Sequence, residues 1–175
     1  TKGTKNLITA CQKNKVKKFI YISSRAASID GGAYAHSKLL AEEEVRKSSM
    51  DWIILRPAEV YGAGEKEAIA RLIKTVENSF FVPIVGNGQY TLAPVYVEDV
   101  VSAIISAVKT KFSKKTYIVA GPDELTYNEV IDKILKILNK KRMKVYIPIV
   151  FFEIAAFVFS VFNINILVKD QIPRL

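Results

Sequence analysis

Residues 18–45 read KFIYISSRAASIDGGAYAHSKLLAEEEV, and this run decides the fold. Its first part, with Val16 and Lys17 before it, is a continuous apolar stretch that predicts a strand covered on both faces, as in a parallel sheet. Ser28 to Gly32 is a polar, glycine-containing loop. From Tyr34 to about Lys47 the pattern is helical, with Leu39, Leu40 and Val45 expected inward and Glu42, Glu43, Glu44 and Arg46 outward. Tyr34 and Lys38 fall one turn apart on that helix and so meet side by side. Ser24 ends the strand before them.

The same alternation continues outward. GTKNLITACQKN, beginning at Gly3, precedes the strand as a helix whose apolar stripe is Leu7, Ile8 and Cys11. DWIILRP (51–57) is a second buried strand, stopped by Pro57, and AEVYGAG (58–64) is a glycine-punctuated loop. A helix follows from Lys66 to about Asn78. FFVPIVG (80–86) is a short strand whose proline places it at an edge or marks a strand end, and Gly86, Asn87 and Gly88 make a turn. PVYVEDVVSAIISAV (94–108) runs from an extended piece into a helix with Glu98 and Asp99 near its start. KTYIVAG (115–121) is a strand. Thr126 and Glu129 form a capping box for the next helix, and KVYIP (144–148) is a last short strand. Strands alternating with helices predict an α/β fold with a mainly parallel sheet. The first half reads as Rossmann-type βαβ units and the later segments as a small lobe packed on them.

Composition narrows the function. The chain has 175 residues, half of them apolar and a quarter charged, which suits one folded domain with a real core. A single cysteine, Cys11, excludes an internal disulfide and a cysteine metal site, and fits a reduced, cytoplasmic setting. The one histidine, His36, excludes a multi-histidine metal cluster and reads as an outward helix residue. The net charge is +9. Its lysines crowd near helix ends, where they favour the helix dipole. No aromatic interleaving accompanies them, so the reading is solvated basic surface and no nucleic-acid partner. Thr1 stands where an initiator methionine is expected, and the chain opens on the front of a helix. A portion of a longer polypeptide is therefore expected.

The stretch YIPIVFFEIAAFVFSVFNINILV (146–168) approaches the length and apolarity of a membrane span. Pro148, Glu153 and two asparagines interrupt it. The reading is a helix buried against the domain; peripheral contact of residues 147–168 with a membrane surface or a partner, and a true span, stay open as alternatives.

A phenol is a poor base at neutral pH, having a reference pKa near 10. A neighbouring ammonium stabilises the phenolate and lets the hydroxyl exchange a proton with a carbinol or carbonyl oxygen. In this chemistry Tyr34 is the general acid/base, Lys38 its partner, and Ser24 a hydrogen-bond donor to the same oxygen. Arg25 follows directly and is placed to meet a phosphate or carboxylate, and Tyr61 reads as pocket wall. A dinucleotide fingerprint G-x-G-x-x-G is absent; Gly62 with Gly64 and Gly86 with Gly88 are isolated pairs.

These motifs taken together resemble the extended short-chain dehydrogenase/reductase family, also called the NAD-dependent epimerase/dehydratase family. The resemblance rests on GTKNLITAC, KFIYISS, YAHSKLLAEEEV, WIILRPAEVYGAG and VGNGQYTLAPVYVEDVVSAI, in the family's order. It implies the C-terminal portion of a Rossmann-type parallel sheet with a small α/β substrate lobe. Residues 1–110 are expected to be the second half of the dinucleotide domain with an inserted lobe segment, and 111–175 a small substrate-side lobe. It implies Ser24, Tyr34 and Lys38 as catalytic residues and Ser23, Tyr34, Lys38, Pro57, Ala58 and Val60 as cofactor-binding, with NAD or NADP as cofactor. Ser24, Arg25 and Tyr61 are the substrate-side residues. Arg56 matches the arginine before the proline, and Asp99 the aspartate that starts the later helix. The implied activity is an NAD(P)-dependent epimerase, dehydratase or reductase acting on a small-molecule carbinol or carbonyl carbon, with a nucleotide sugar among the substrates; a homodimer through paired long helices is also implied. The family's glycine-rich loop would lie before residue 1. TLAPVYVEDV lacks the arginine that nucleotide-sugar members often carry, and its form is similar to the atypical branch, which includes an accessory subunit of respiratory complex I. A non-catalytic scaffold of the same fold, at a membrane or in a larger complex, is the rival reading.

Overall fold

The computed structural model describes residues 1–66 and 68–150. Helix α1 (Lys2–Lys13) leads into strand β1 (Lys18–Ile22), followed by α2 (Gly32–Arg46) and β2 (Asp51–Pro57). A two-residue strand β3 (Val60–Tyr61), helix α3 (Ala68–Asn78) and β4 (Phe81–Val85) come next. Then follow β5 (Thr91–Leu92), β6 (Val95–Tyr96), α4 (Val97–Lys109), β7 (Lys115–Val119), β8 (Leu125–Thr126), α5 (Tyr127–Ile137) and β9 (Met143–Ile147).

The main sheet has the order β1-β2-β7, and both of its pairings are parallel. The apolar runs explain this. Ile53, Ile54 and Leu55 of β2 are buried on both faces, as the centre of a covered parallel sheet requires. On one face Ile54 packs with Ile8, Phe19, Val45, Met50 and Trp52, which seats α1 and α2. On the other face Ile53 and Leu55 pack with Ala107 of α4. Cys11 packs against the first of these clusters, as a small core filler would.

A second core belongs to the lobe. Ile69, Leu72 and Val76 of α3 meet Val82 and Ile84 of β4 and Val130, Ile131 and Ile134 of α5. Strand β4 pairs in parallel with β9, and Pro83 sits opposite Val145 in that two-stranded edge. The capping box at Thr126 and Glu129 is formed, with Thr126 Oγ1 accepting from the Glu129 amide.

Three expectations change. A division at residue 110 does not hold for the main sheet, because β7 lies beyond it and pairs with β2 from Ile53↔Lys115 to Pro57↔Val119. On α2 the inward and outward faces are not as the apolar pattern implies: Glu42 is fully buried, while Leu40 is exposed. The reason is the polar cluster described below. On α1, Ile8 is buried and Leu7 is exposed. The apolar stretch 147–168 lies outside the described residues from 151 onward. Among the described residues no helix is long and apolar enough to cross a membrane.

Candidate active site

The site is built where β1 and β2 end. Open parallel sheets take their ligands outside the carboxyl ends of the strands, and the sequence delivers its candidate residues there. The β1–β2 ladder runs past Ile22, with the Ser23 amide donating to the Leu55 carbonyl (2.7 Å) and the Arg25 amide to the Pro57 carbonyl (2.8 Å). Ser24 is therefore held beside Pro57. Its Oγ accepts from the Ala26 amide at 3.2 Å, and its carbonyl accepts from the Ala27 amide at 3.0 Å. These bonds turn the chain sharply toward α2.

Tyr34 is in the first turn of α2 and its side chain is about half exposed. The Lys38 ammonium lies 5.8 Å from the Tyr34 ring centroid and 5.6 Å from that of Tyr21. It donates to the Ile22 carbonyl at 3.2 Å, which ties the helix to the end of β1. Tyr21 is pushed above the ordinary phenol range, chiefly by burial and then by the negative charge of Glu42 and by Tyr34. Gly31 allows α2 to start close to this loop. A Cβ there would stand 2.6 Å from the Ala35 Cβ and 2.5 Å from Ser28 Oγ.

Behind the exposed residues sits a buried ionic cluster. Glu42 Oε1 accepts from Ser23 Oγ at 2.5 Å and from Arg56 Nε at 2.8 Å. Its Oε2 accepts from Arg56 Nη2 at 2.7 Å and from Arg46 Nη2 at 2.6 Å. Burial alone would raise the Glu42 carboxyl, but the hydrogen bonds from Arg56, Ser23 and Arg46 outweigh it and hold the group below the usual range. Arg56 is raised in turn, first by its hydrogen bonds to Glu42.

The remaining candidates are distributed around this centre. Pro57 is buried at the end of β2, and the Ala58 amide donates to the Val119 carbonyl at 2.9 Å. Val60 pairs with Val95, and Tyr61 with Tyr96, their rings 5.5 Å apart. Tyr61 also lines an apolar cavity of about 310 Å³ with Ile69, Ile73 and Pro94. Arg25 donates to Glu124 Oε1 at 2.8 Å, so the carboxylate it meets lies within the chain. Ser23 is buried with its hydroxyl committed to Glu42. His36 is exposed on α2.

Sequence reasoning missed Glu42, Arg46 and Glu124. A signal for Glu42 was present: it follows Lys38 by the same four residues that separate Lys38 from Tyr34, which puts all three on neighbouring turns. The charge of the side chain masked that phase.

A nicotinamide dinucleotide fits what the described residues offer. Lys38 and Tyr34 stand where β1 ends, and Pro57 ends the neighbouring strand β2. The glycine-rich phosphate loop of such a site is not among these residues.

Residues 1–120 match the NAD dependent epimerase/dehydratase family. The chain is 29% identical over 144 residues to the mitochondrial NADH dehydrogenase [ubiquinone] 1 alpha subcomplex subunit 9 of Arabidopsis thaliana, covering 81% of this chain and 36% of that protein. It is 26% identical over 170 residues to UDP-glucose 4-epimerase of Vibrio cholerae, covering 85% and 52%. Among solved structures, the UDP-glucuronic acid 4-epimerase of Bacillus cereus in complex with UDP-glucuronic acid and NAD superposes with a TM-score of 0.73 at 26% identity, covering 83% of this chain and 53% of that one. The chain thus spans about a third to a half of the curated relatives it matches.

Proposed function

The chain belongs to the NAD dependent epimerase/dehydratase family, and from that membership we propose that the full polypeptide is an NAD(P)-dependent epimerase, dehydratase or reductase acting on a carbinol or carbonyl carbon. The observation that carries this reading is the Lys38 ammonium beside the Tyr34 ring at the carboxyl end of β1. Hydride acceptance and donation is the chemistry a bound nicotinamide supplies. Tyr34 takes or gives the proton at the substrate oxygen. Lys38 holds its ammonium close to that phenol. Ser24 Oγ donates to the same oxygen. Ala58, Val60 and Tyr61 wall the approach, and Arg25 with Glu124 sets its polar rim. A nucleotide sugar is the first substrate class to test, since relatives named for UDP-sugars match over most of this chain.

Turnover of the full polypeptide with a UDP-sugar panel and NAD or NADP tests the reading. Tyr34→Phe is expected to lower kcat by about 10²–10⁴-fold while leaving cofactor binding in place; undiminished turnover would overturn the role of Tyr34. A second reading, a dinucleotide-fold accessory protein of a larger assembly, is supported by the similarity to NADH dehydrogenase subunits. Retained NAD(P) binding with no turnover across the panel selects it.

A further inference from the structure

Glu42 is the one fully buried charged side chain among the described residues. Burying a carboxylate is costly, and an apolar residue would seat the helix on the sheet with no such cost. What an apolar residue does not give is direction. Arg56 grips both oxygens of Glu42 through Nε and Nη2, a planar two-pronged bond that fixes distance and angle together. Ser23 Oγ occupies Oε1 beside it. Arg46, a turn further along α2, reaches Oε2 from the helix itself.

The partners sit next to the reacting groups. Ser23 precedes Ser24, and Arg56 precedes Pro57. One turn before Glu42, the Lys38 ammonium holds the Ile22 carbonyl. Residues 38 and 42 of α2 are thus tied to the consecutive residues 22 and 23, the last of β1 and the one after it.

We infer, on the basis of the oxidoreductase reading above, that Glu42 is a positioning residue for the catalytic pair. It locks the helix that carries Tyr34 and Lys38 onto the carboxyl ends of β1 and β2. The phenol, with the ammonium beside it, and the Ser24 hydroxyl then meet the reacting oxygen at a fixed separation. Near-attack geometry is sensitive to displacements of about 1 Å, which cost about a hundredfold in rate. The cluster guards against a shift of that size.

The test uses the full polypeptide and two readouts. The first is the acylation rate of Lys38 under a pulse of acetic anhydride, followed by peptide mass spectrometry. Glu42→Gln keeps the shape and removes the charge, so Lys38 loosens from the Ile22 carbonyl and labels several-fold faster. The second is steady-state kinetics: kcat is expected to fall about tenfold or more with KM held within about twofold, the mark of a loss confined to the transition state. Asp132→Asn, which removes the lobe ion pair with Lys144, is the control and leaves both readouts unchanged. Arg56→Lys keeps the charge but loses the two-pronged bond; it carries the same expectation and serves if Glu42→Gln does not fold. Unchanged Lys38 labelling overturns the inference whatever the turnover does, and so does faster labelling with kcat intact. A wild-type protein inert toward every substrate, whose Lys38 labelling still rises on Glu42→Gln, sinks the oxidoreductase reading and upholds the positioning of Lys38.

Discussion

Lys38 is held between two aromatic rings and a carbonyl, and none of these neutralises its charge. That arrangement holds the ammonium 5.8 Å from the centre of the Tyr34 ring. The opposite condition holds at Glu42, whose carboxylate is surrounded by donors and shielded from water. Its folded pKa lies below the ordinary value of 4.5. A depressed carboxyl contributes stability that is complete above the unfolded pKa and is lost as pH falls through the folded one. The wild-type protein should therefore lose part of its resistance to urea below about pH 4.5. Glu42→Gln should be less stable at neutral pH and should lack this part of the acid dependence. Urea midpoints between neutral pH and pH 3 check both statements; parallel pH curves for the two proteins would contradict them.

At the scale of elements, the C-terminus of α4 is secured by a long-range polar contact. Lys18 starts β1, yet its ammonium donates to the carbonyls of Ala107 and Thr110 at the C-terminus of α4. A cation at that end satisfies orphan carbonyls and favours the dipole. Lys18→Met is expected to lower stability by about 1 kcal/mol, read from the denaturant midpoint, with the first loss of hydrogen-exchange protection at the end of α4. The apolar runs of β1 and β2 and the capping box of α5 were legible in the sequence, because burial on a parallel sheet leaves a continuous apolar trace and a cap is set by two residue types three apart. The extended piece before α4 was read as such and is β6, but the two-residue strands β3, β5 and β8 were not legible, since pairs of that length are set by which loops meet and carry no period. The proximity of Tyr34 and Lys38 was legible from type and spacing. Glu42 was not, because a glutamate among three acidic residues looks like solvated surface until the arginines that cover it are placed.

At the scale of the molecule, the described residues rest on two cores, one on the main sheet and one in the lobe between α3, β4 and α5. Ile131 is fully buried in the second. Ile131→Ala is expected to cost about 2–5 kcal/mol. Hydrogen exchange should show the loss concentrated in α3, β4 and α5, with β1 and β2 retaining more protection; uniform loss would mean that the two cores melt as one. Between them runs a surface strut. Arg25, one residue from Ser24, grips the carboxylate of Glu124, and Thr91 of β5 donates to the same oxygen. The serine loop is thereby harnessed to the β5–β8 pair. Any rocking of that pair tugs on the serine, and mobile ions weaken the harness because it lies in solvent. Salt acts here as a slackening agent, loosening the grip of the lobe on the serine loop while the buried cluster beneath stays taut.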